Sequence, residues 1–139
     1  MRATPYFKAY PMRHEIIGGS LTLADGTTLP LSKAVRAGNF VFLSGQLGLL
    51  PQGGLAGTTI EAQTRQALHN ISVILAEAGA SLSQVIKSTV WLVDGTDFPR
   101  FNQIYAEHFP HHPPARSTVV SGLVLKGALV EIEVVAYVP

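Results

Sequence analysis

Two consecutive prolines, Pro113 and Pro114, place the strongest local constraint on this chain. Each pyrrolidine ring fixes its own φ and pushes the preceding residue out of the helical region of φ/ψ space. The segment 111–121 must therefore leave a helix and enter extended structure, which puts Arg116 near the start of a strand. The apolar segment 129–138 at the C-terminus has the pattern of a second strand, and we predict that these two strands pair.

The residues that flank Arg116, from Ala115 to Val120, are small or apolar. A guanidinium is always charged and presents its donors in a planar fork that matches a carboxylate, so in apolar surroundings it requires an anion. Glu131 and Glu133 on the last strand share one face by alternation and are the acidic candidates. An ion pair within the protein assembly and a clamp for an anionic ligand both meet this need. The residues alone favour the ion pair, because structural ion pairs are common.

The first part of the chain reads as strands. Asp25-Gly26 is a strong turn signal within the alternating segment 20–29 and predicts a hairpin. The segment 40–47 is predicted as a strand that ends in Ser44-Gly45-Gln46. The glycine of this triplet either lets another group approach the backbone closely or marks a β-bulge.

Two later segments have helical spacing. A helix begins at Thr58, with Glu61 in capping-box relation, and ends at Gly79 after about twenty residues. The segment 85–93 is the next strand, and Pro99 marks the start of a second helix. The apolar face of that second helix comprises Phe98, Phe101, Ile104, Tyr105, His108 and Phe109.

This order of elements predicts a single α+β domain in which both helices lie on one face of a mixed β-sheet. Residues 1–19 form an N-terminal extension and residues 20–139 the folded domain. No third helical pattern exists to cover the other face of the sheet, and only 14% of the residues are charged, against the usual quarter. We therefore expect copies of the chain to cover that face in a homo-oligomer.

Composition excludes several functions. The net charge is +1 with no basic cluster, whereas nucleic-acid readers gather Lys and Arg on one face. The chain has no cysteine, which excludes a disulfide or a thiol nucleophile. His108, His111 and His112 lack a carboxylate at the spacing of a metal motif, so we predict no metal. Neither a leader peptide nor a bilayer-spanning apolar run is present, which predicts a cytoplasmic protein with no membrane partner.

Six motifs, in this order and spacing, resemble the Rid family (RidA/YjgF, reactive intermediate deaminases). They occupy residues 34–46, 63–70, 87–90, 101–105, 114–117 and 130–133. Each motif alone is weak, but the set is specific. The resemblance implies a chorismate-mutase-like fold assembled as a homotrimer, with ligand clefts between subunits.

The resemblance also implies an activity and a set of site residues. The activity is hydrolytic deamination of reactive enamines and imines, such as 2-aminoacrylate, to 2-keto acids and ammonia, with no cofactor or metal. Arg116 matches the arginine that holds the substrate carboxylate, and Glu131 matches the acid that positions or activates water. The matching residues that line the cleft are Ser44, Gly45, Asn102 and Thr118.

Leu31 is a departure from the family pattern. Where catalytically active members carry Pro-Tyr-Ser, this chain has Pro30-Leu31-Ser32. Leucine can neither donate a phenolic hydrogen bond nor stack on a planar imine as tyrosine does. This departure keeps a second function open, a non-catalytic protein that binds carboxylate metabolites on the same trimeric fold.

Overall fold

The computed structural model describes residues 14–139, which fold as one mixed sheet and two helices. The α+β class predicted from the sequence is confirmed. The strands and helices in chain order are β1 (His14–Thr22), β2 (Thr28–Ala37), β3 (Phe40–Leu43), β4 (Gln46–Leu47), α1 (Ile60–Glu77), β5 (Val85–Leu92), α2 (Phe98–His108), β6 (Ala115–Val120) and β7 (Val130–Tyr137). Short 3-10 turns lie at Leu82–Gln84 and Gly95–Asp97. Residues 14–19 of the predicted N-terminal extension are part of strand β1, and residues 1–13 lie outside the described part of the chain.

The sheet has the strand order β1-β2-β3-β7-β5-β6, and β4 pairs with β7 beside β3. Strand β6 pairs in parallel with β5, whereas β7 pairs antiparallel with β5. The prediction that the strand of Arg116 pairs with the last strand is therefore wrong, because β5 lies between them. The connection through α2 is long enough to make β5 and β6 parallel neighbours, which a short turn does not allow.

Helix α1 supplies much of the core. Its N-cap is Thr59, whose Oγ1 accepts a hydrogen bond from the Ala62 N–H at 3.2 Å, so the predicted cap at Thr58 is wrong by one residue. Its C-terminal end is as predicted: Gly79 has a φ of 72° and donates its N–H to the Ala76 carbonyl. The buried residues of this helix are Ile60, Gln63, Thr64, Ala67, Leu68, Ile71, Ile74 and Leu75.

The opposite face of the sheet carries exposed apolar side chains. Phe42 pairs with Val35 on one side and Val135 on the other, and it is 48% exposed. Phe40 packs on Tyr137 with 5.4 Å between ring centroids. We call this surface the open face; its exposed large side chains are Ile16, Phe40, Phe42, Val119 and Tyr137.

Neither helix among residues 14–139 is long and apolar enough to cross a bilayer.

Candidate functional site

Arg116 projects from strand β6 towards helix α2. Its backbone pairs with Ser88, which is buried under the helices, so both side chains lie on the helical face of the sheet. Nη2 of Arg116 donates a hydrogen bond to Asn102 Oδ1 at 2.8 Å. The guanidinium also lies over three rings, with distances to the centroids of 5.6 Å for Phe98, 5.4 Å for Phe101 and 4.7 Å for Tyr105.

No carboxylate of residues 14–139 forms a salt bridge with Arg116. The ion pairs in this part of the chain join Arg65 to Glu107 and Arg100 to Asp97 and Glu61. The salt bridge that the residues alone favoured is therefore not made within the described chain. The Arg116 guanidinium keeps its charge beside neutral rings and an amide, and this arrangement can accept a carboxylate from outside the chain.

Glu131 lies on the other face of the sheet, on strand β7. Phe42 pairs with Val135 and Gln46 pairs with Ile132, so an advance of four residues along β3–β4 matches an advance of only three along β7. The β3–β4 segment therefore has one extra residue here. The β-bulge that the sequence left open is therefore present. Gly45 lies in this bulge with the Glu131 carboxylate against it, and a Cβ at Gly45 would clash with that carboxylate. The other interpretation of Ser44-Gly45-Gln46, that the glycine lets another group approach the backbone closely, is therefore also correct.

Burial raises the pKa of Glu131 above its ordinary value, and the negative charge of Glu133 adds to this increase. Glu131 and Glu133 share the open face, as the alternation predicted. Glu131 also lines a cavity of about 180 Å³ together with Trp91 and the segment 121–124. Its elevated pKa and access to a cavity suit a carboxylate that exchanges protons with a bound water.

The remaining predicted site residues fall into the same two groups. Ser44 donates its hydroxyl hydrogen to the Ser32 carbonyl at 2.6 Å. Because Leu31 directly precedes Ser32, this contact also brings Leu31, which is 39% exposed, near the bulge at Gly45. Thr118 pairs with the buried Val90 and therefore shares the helical face with Arg116.

The predicted catalytic pair is not brought together within one chain. Arg116 is in register with Ser88 and Val134, both buried under the helices. Glu131 is in register with Trp91, which pairs with Val119 on the open face. Since adjacent paired residues point to the same face, Arg116 and Glu131 project from opposite faces of the sheet. The predicted site residues thus fall into two groups, which we call half-sites, one with Arg116, Asn102 and Thr118 and one with Leu31, Ser44, Gly45 and Glu131.

The rings around Arg116 were missed as site residues by the sequence reasoning. Phe98, Phe101 and Tyr105 were predicted only as the apolar face of the second helix. The signal needed to find them was the parallel pairing of β5 and β6, which places α2 beside Arg116. His108, His111 and His112 are not part of any group of three or more His, Asp or Glu side chains that could hold a metal ion in residues 14–139. His108 Nδ1 instead lies 2.8 Å from the Ile104 carbonyl of its own helix.

Gly45→Ala tests the contact between Gly45 and Glu131. The added methyl meets the end of a flexible side chain, so we expect the Glu131 carboxylate to move and any Glu131-dependent turnover to fall about tenfold. We expect only a small loss of thermal stability. Gly48→Ala is the contrasting variant, since a Cβ there would lie 2.6 Å from the carbonyl oxygen of Gln63. Activity assays at a temperature where both variants are folded, together with thermal unfolding, separate the two effects. A Gly45→Ala variant with parental turnover would show that the contact with Gly45 does not position the Glu131 carboxylate.

Comparison with known proteins identifies the family of the chain. The sequence model of the family described as Endoribonuclease L-PSP matches residues 24–138. The chain belongs to this family, which is the Rid family that its sequence motifs indicated.

Three curated relatives and one solved structure illustrate the likeness. A RutC family protein of Pyrococcus horikoshii is 47% identical over 78% of this chain and 86% of its own length. The chloroplastic Reactive Intermediate Deaminase A of Arabidopsis thaliana is 45% identical over 77% of this chain and 58% of its own length. The 3-aminoacrylate deaminase RutC of Acinetobacter baylyi is 42% identical over 85% and 97%. A crystal structure of a putative endoribonuclease L-PSP from Entamoeba histolytica superposes with a TM-score of 0.81 at 38% identity, covering 91% of this chain and all of that one.

Proposed function

We propose that this protein hydrolyses small 2-imino acids and their enamine tautomers, such as 2-aminoacrylate, to 2-keto acids and ammonia. The observation that carries the proposal is the Arg116 guanidinium, which has an amide and three rings as neighbours and no carboxylate among residues 14–139. Two relatives bear deaminase names, one of them for 3-aminoacrylate, an enamine acid. Substrates of this class carry the carboxylate that Arg116 requires.

The chemistry needs few groups. An imine carbon is already electrophilic, so the protein has to orient it and deliver water. Arg116 binds the substrate carboxylate, with Asn102 and Thr118 beside it. Glu131 takes a proton as water adds to the imine carbon and returns it to the nitrogen, which gives a carbinolamine. Glu131 then passes the carbinolamine hydroxyl proton to the nitrogen, so that the C–N bond breaks to release ammonia and the hydroxyl becomes the carbonyl of the keto acid. Gly45 contributes its backbone to the same half-site, and Ser44 is a polar residue beside it. No step calls for a metal or a cofactor.

We propose that the site forms between copies of the chain in a homotrimer. Arg116 and Glu131 lie on opposite faces of one sheet, so a substrate that contacts both has to sit between the Arg116 half-site of one copy and the Glu131 half-site of another. The exposed rings of the open face, Phe40, Phe42 and Tyr137, favour such an assembly because a second copy would remove them from water.

Phe42→Lys tests the assembly. The substitution places a charge in the middle of the open face, where its burial against a second copy is costly, so we expect dissociation to monomers at micromolar concentration. Deaminase activity should fall with the trimer. Val73→Lys is the matched control, because Val73 is 46% exposed on the outer side of α1. Sedimentation equilibrium gives the masses directly. A trimeric Phe42→Lys protein contradicts the proposal that this face is the interface.

The direct test of the reaction generates 2-aminoacrylate in the assay with a pyridoxal-phosphate lyase and follows release of the keto acid. The proposal expects release well above the spontaneous rate, in proportion to the amount of protein. A rate no faster than spontaneous hydrolysis, with the protein trimeric and folded, rejects deamination of this substrate.

Leu31 favours a second candidate function, a binding protein for carboxylate metabolites without turnover. Leu31 is 39% exposed, precedes the Ser32 carbonyl that Ser44 contacts, and has no group that could donate a hydrogen bond to a substrate. Saturable thermal stabilisation by 2-keto acids, lost in Arg116→Ala, with no turnover of any imine would support this function. The substitution Leu31→Tyr would then be expected to introduce turnover.

We propose a small-molecule partner and no nucleic-acid partner, although the family description names an endoribonuclease. Arg65 and Arg100 are engaged in ion pairs with acids, and the net charge of the chain is +1. Nucleic-acid readers instead cluster free cations on one face. We also propose a cytoplasmic location, although one relative is named as chloroplastic.

A further inference from the structure

Helix α2 presents neutral aromatic rings to Arg116, a partly buried arginine of the kind that is normally paired with an acid. The closest is Tyr105, whose ring centroid lies 4.7 Å from the guanidinium carbon. A ring face attracts a cation through its quadrupole without carrying a charge. The guanidinium is therefore held in place while its charge remains available to an incoming anion.

The Tyr105 ring is fixed from several sides. Its hydroxyl forms a buried hydrogen bond of 2.7 Å with the Ser88 hydroxyl, and Ser88 is the residue that pairs with Arg116 across the strands. The ring packs between Phe101 and Phe109, at centroid distances of 5.4 Å and 4.6 Å. Burial raises the pKa of Tyr105, although the Ser88 hydrogen bond and the charge of Arg116 act in the opposite direction. The phenol is thus neutral at physiological pH and does not compete with a ligand for the guanidinium.

We propose that Tyr105 is a positioning residue for carboxylate recognition: its ring, packed between Phe101 and Phe109, holds the Arg116 guanidinium in a fixed and un-neutralised state. Phe98 and Phe101 extend the same platform, and Asn102 takes one donor of the fork. The inference rests on the proposed role of Arg116 as the carboxylate clamp. An acid in place of Tyr105 would orient the guanidinium equally well, but the substrate would then have to displace it.

Phe109 supplies a matched control. It packs on the same Tyr105 ring and is buried to a similar degree, 6% against 5% exposed, yet its ring is not among those that contact Arg116. Tyr105→Leu and Phe109→Leu therefore remove comparable aromatic packing from one cluster, and only the first removes the ring beneath the guanidinium. Phe98→Leu is a third variant that avoids the core, since Phe98 is 41% exposed.

The test measures the Kd of pyruvate by calorimetry, together with KM and kcat for imine turnover, on the full-length trimeric protein. Tyr105→Leu is expected to weaken pyruvate binding and to raise KM about tenfold with kcat nearly unchanged. Tyr105→Phe, which keeps the ring, is expected to restore both values to within about twofold of the parent. Phe98→Leu should weaken binding about threefold. Phe109→Leu should lower the unfolding temperature as Tyr105→Leu does and leave Kd and KM at parental values.

Parental Kd values in both Tyr105→Leu and Phe98→Leu would overturn the inference, as would an equal loss of affinity in Phe109→Leu. A Tyr105→Leu protein that does not fold leaves the decision to Phe98→Leu and Phe109→Leu. If the parent binds pyruvate and turns over no imine, the deaminase proposal fails while the Kd series still decides the role of Tyr105. If the parent binds no carboxylate, the clamp and its platform are both rejected.

Discussion

Arg116→Ala is expected to lower kcat/KM for a 2-imino acid about a thousandfold. The substitution removes the charged fork that binds the substrate carboxylate, and loss of one partner from a buried charge-assisted contact costs about 2–5 kcal/mol. Arg116→Lys keeps the charge but loses the planar fork and the stacking on Tyr105, so we expect a loss of about a hundredfold. The protein should remain folded, because Arg116 forms no salt bridge within residues 14–139 that the substitution would break.

Arg65→Gln is the matched control for Arg116. Arg65 is a half-exposed arginine that pairs with Glu107 on the surface, and such ion pairs contribute little to stability. We expect parental kinetics from it. Steady-state assays of the three variants, with imine generated in the assay, give the comparison. If Arg116→Ala retains parental kcat/KM, the carboxylate clamp is wrong and the substrate binds elsewhere.

Glu131→Gln is expected to lower kcat about a hundredfold with little change in KM, since an amide cannot take a proton from water. In the parent, turnover should fall as the pH decreases through the raised pKa of Glu131, because only the ionised carboxylate acts as a base. Glu133→Gln is the control on the same face of the same strand. It removes the charge that helps to raise the pKa of Glu131. In this variant the fall of kcat on the acidic side of the pH–rate profile should therefore move to lower pH, while kcat at neutral pH is retained. If the pH–rate profile of Glu131→Gln falls on its acidic side as that of the parent does, Glu131 is not the base.

Glu131→Gln is expected to lower activity but to raise the thermal stability of the protein. Folding raises the pKa of Glu131, so the ionised form is less stable in the folded chain than in the unfolded one. That penalty is present above the folded-state pKa and disappears as the pH falls below the ordinary value of the unfolded chain. Glu131→Gln should therefore raise the unfolding temperature at neutral pH by about 2 °C. The difference from the parent should vanish in acid, and thermal unfolding across pH measures it.

Local patterns predicted much of the fold and little of its long-range pairing. The helix that ends at Gly79 follows from apolar spacing and a glycine that adopts positive φ. The neighbour of the Arg116 strand was predicted incorrectly, because both the last strand and β5 carry the pattern of a buried strand. Only the pairing itself distinguishes the two.

The candidate site shows the same limit. The need of Arg116 for an anion and the shared face of Glu131 and Glu133 could be derived from residue chemistry and alternation. That Arg116 and Glu131 project from opposite faces depends on the strand order, which no local pattern encodes. The contact of Gly45 with Glu131 depends on the extra residue in β3–β4, which the sequence left as one of two alternatives.

The most direct test of a site shared between copies is complementation between two inactive variants. Arg116→Ala chains keep Glu131, and Glu131→Gln chains keep Arg116, so equimolar co-assembly creates some interfaces that join both intact residues. Random mixing produces that arrangement at about one interface in four, so the whole mixture should regain about a quarter of parental kcat. Mixed trimers no more active than the two variants assayed separately would contradict a site built from Arg116 of one copy and Glu131 of another.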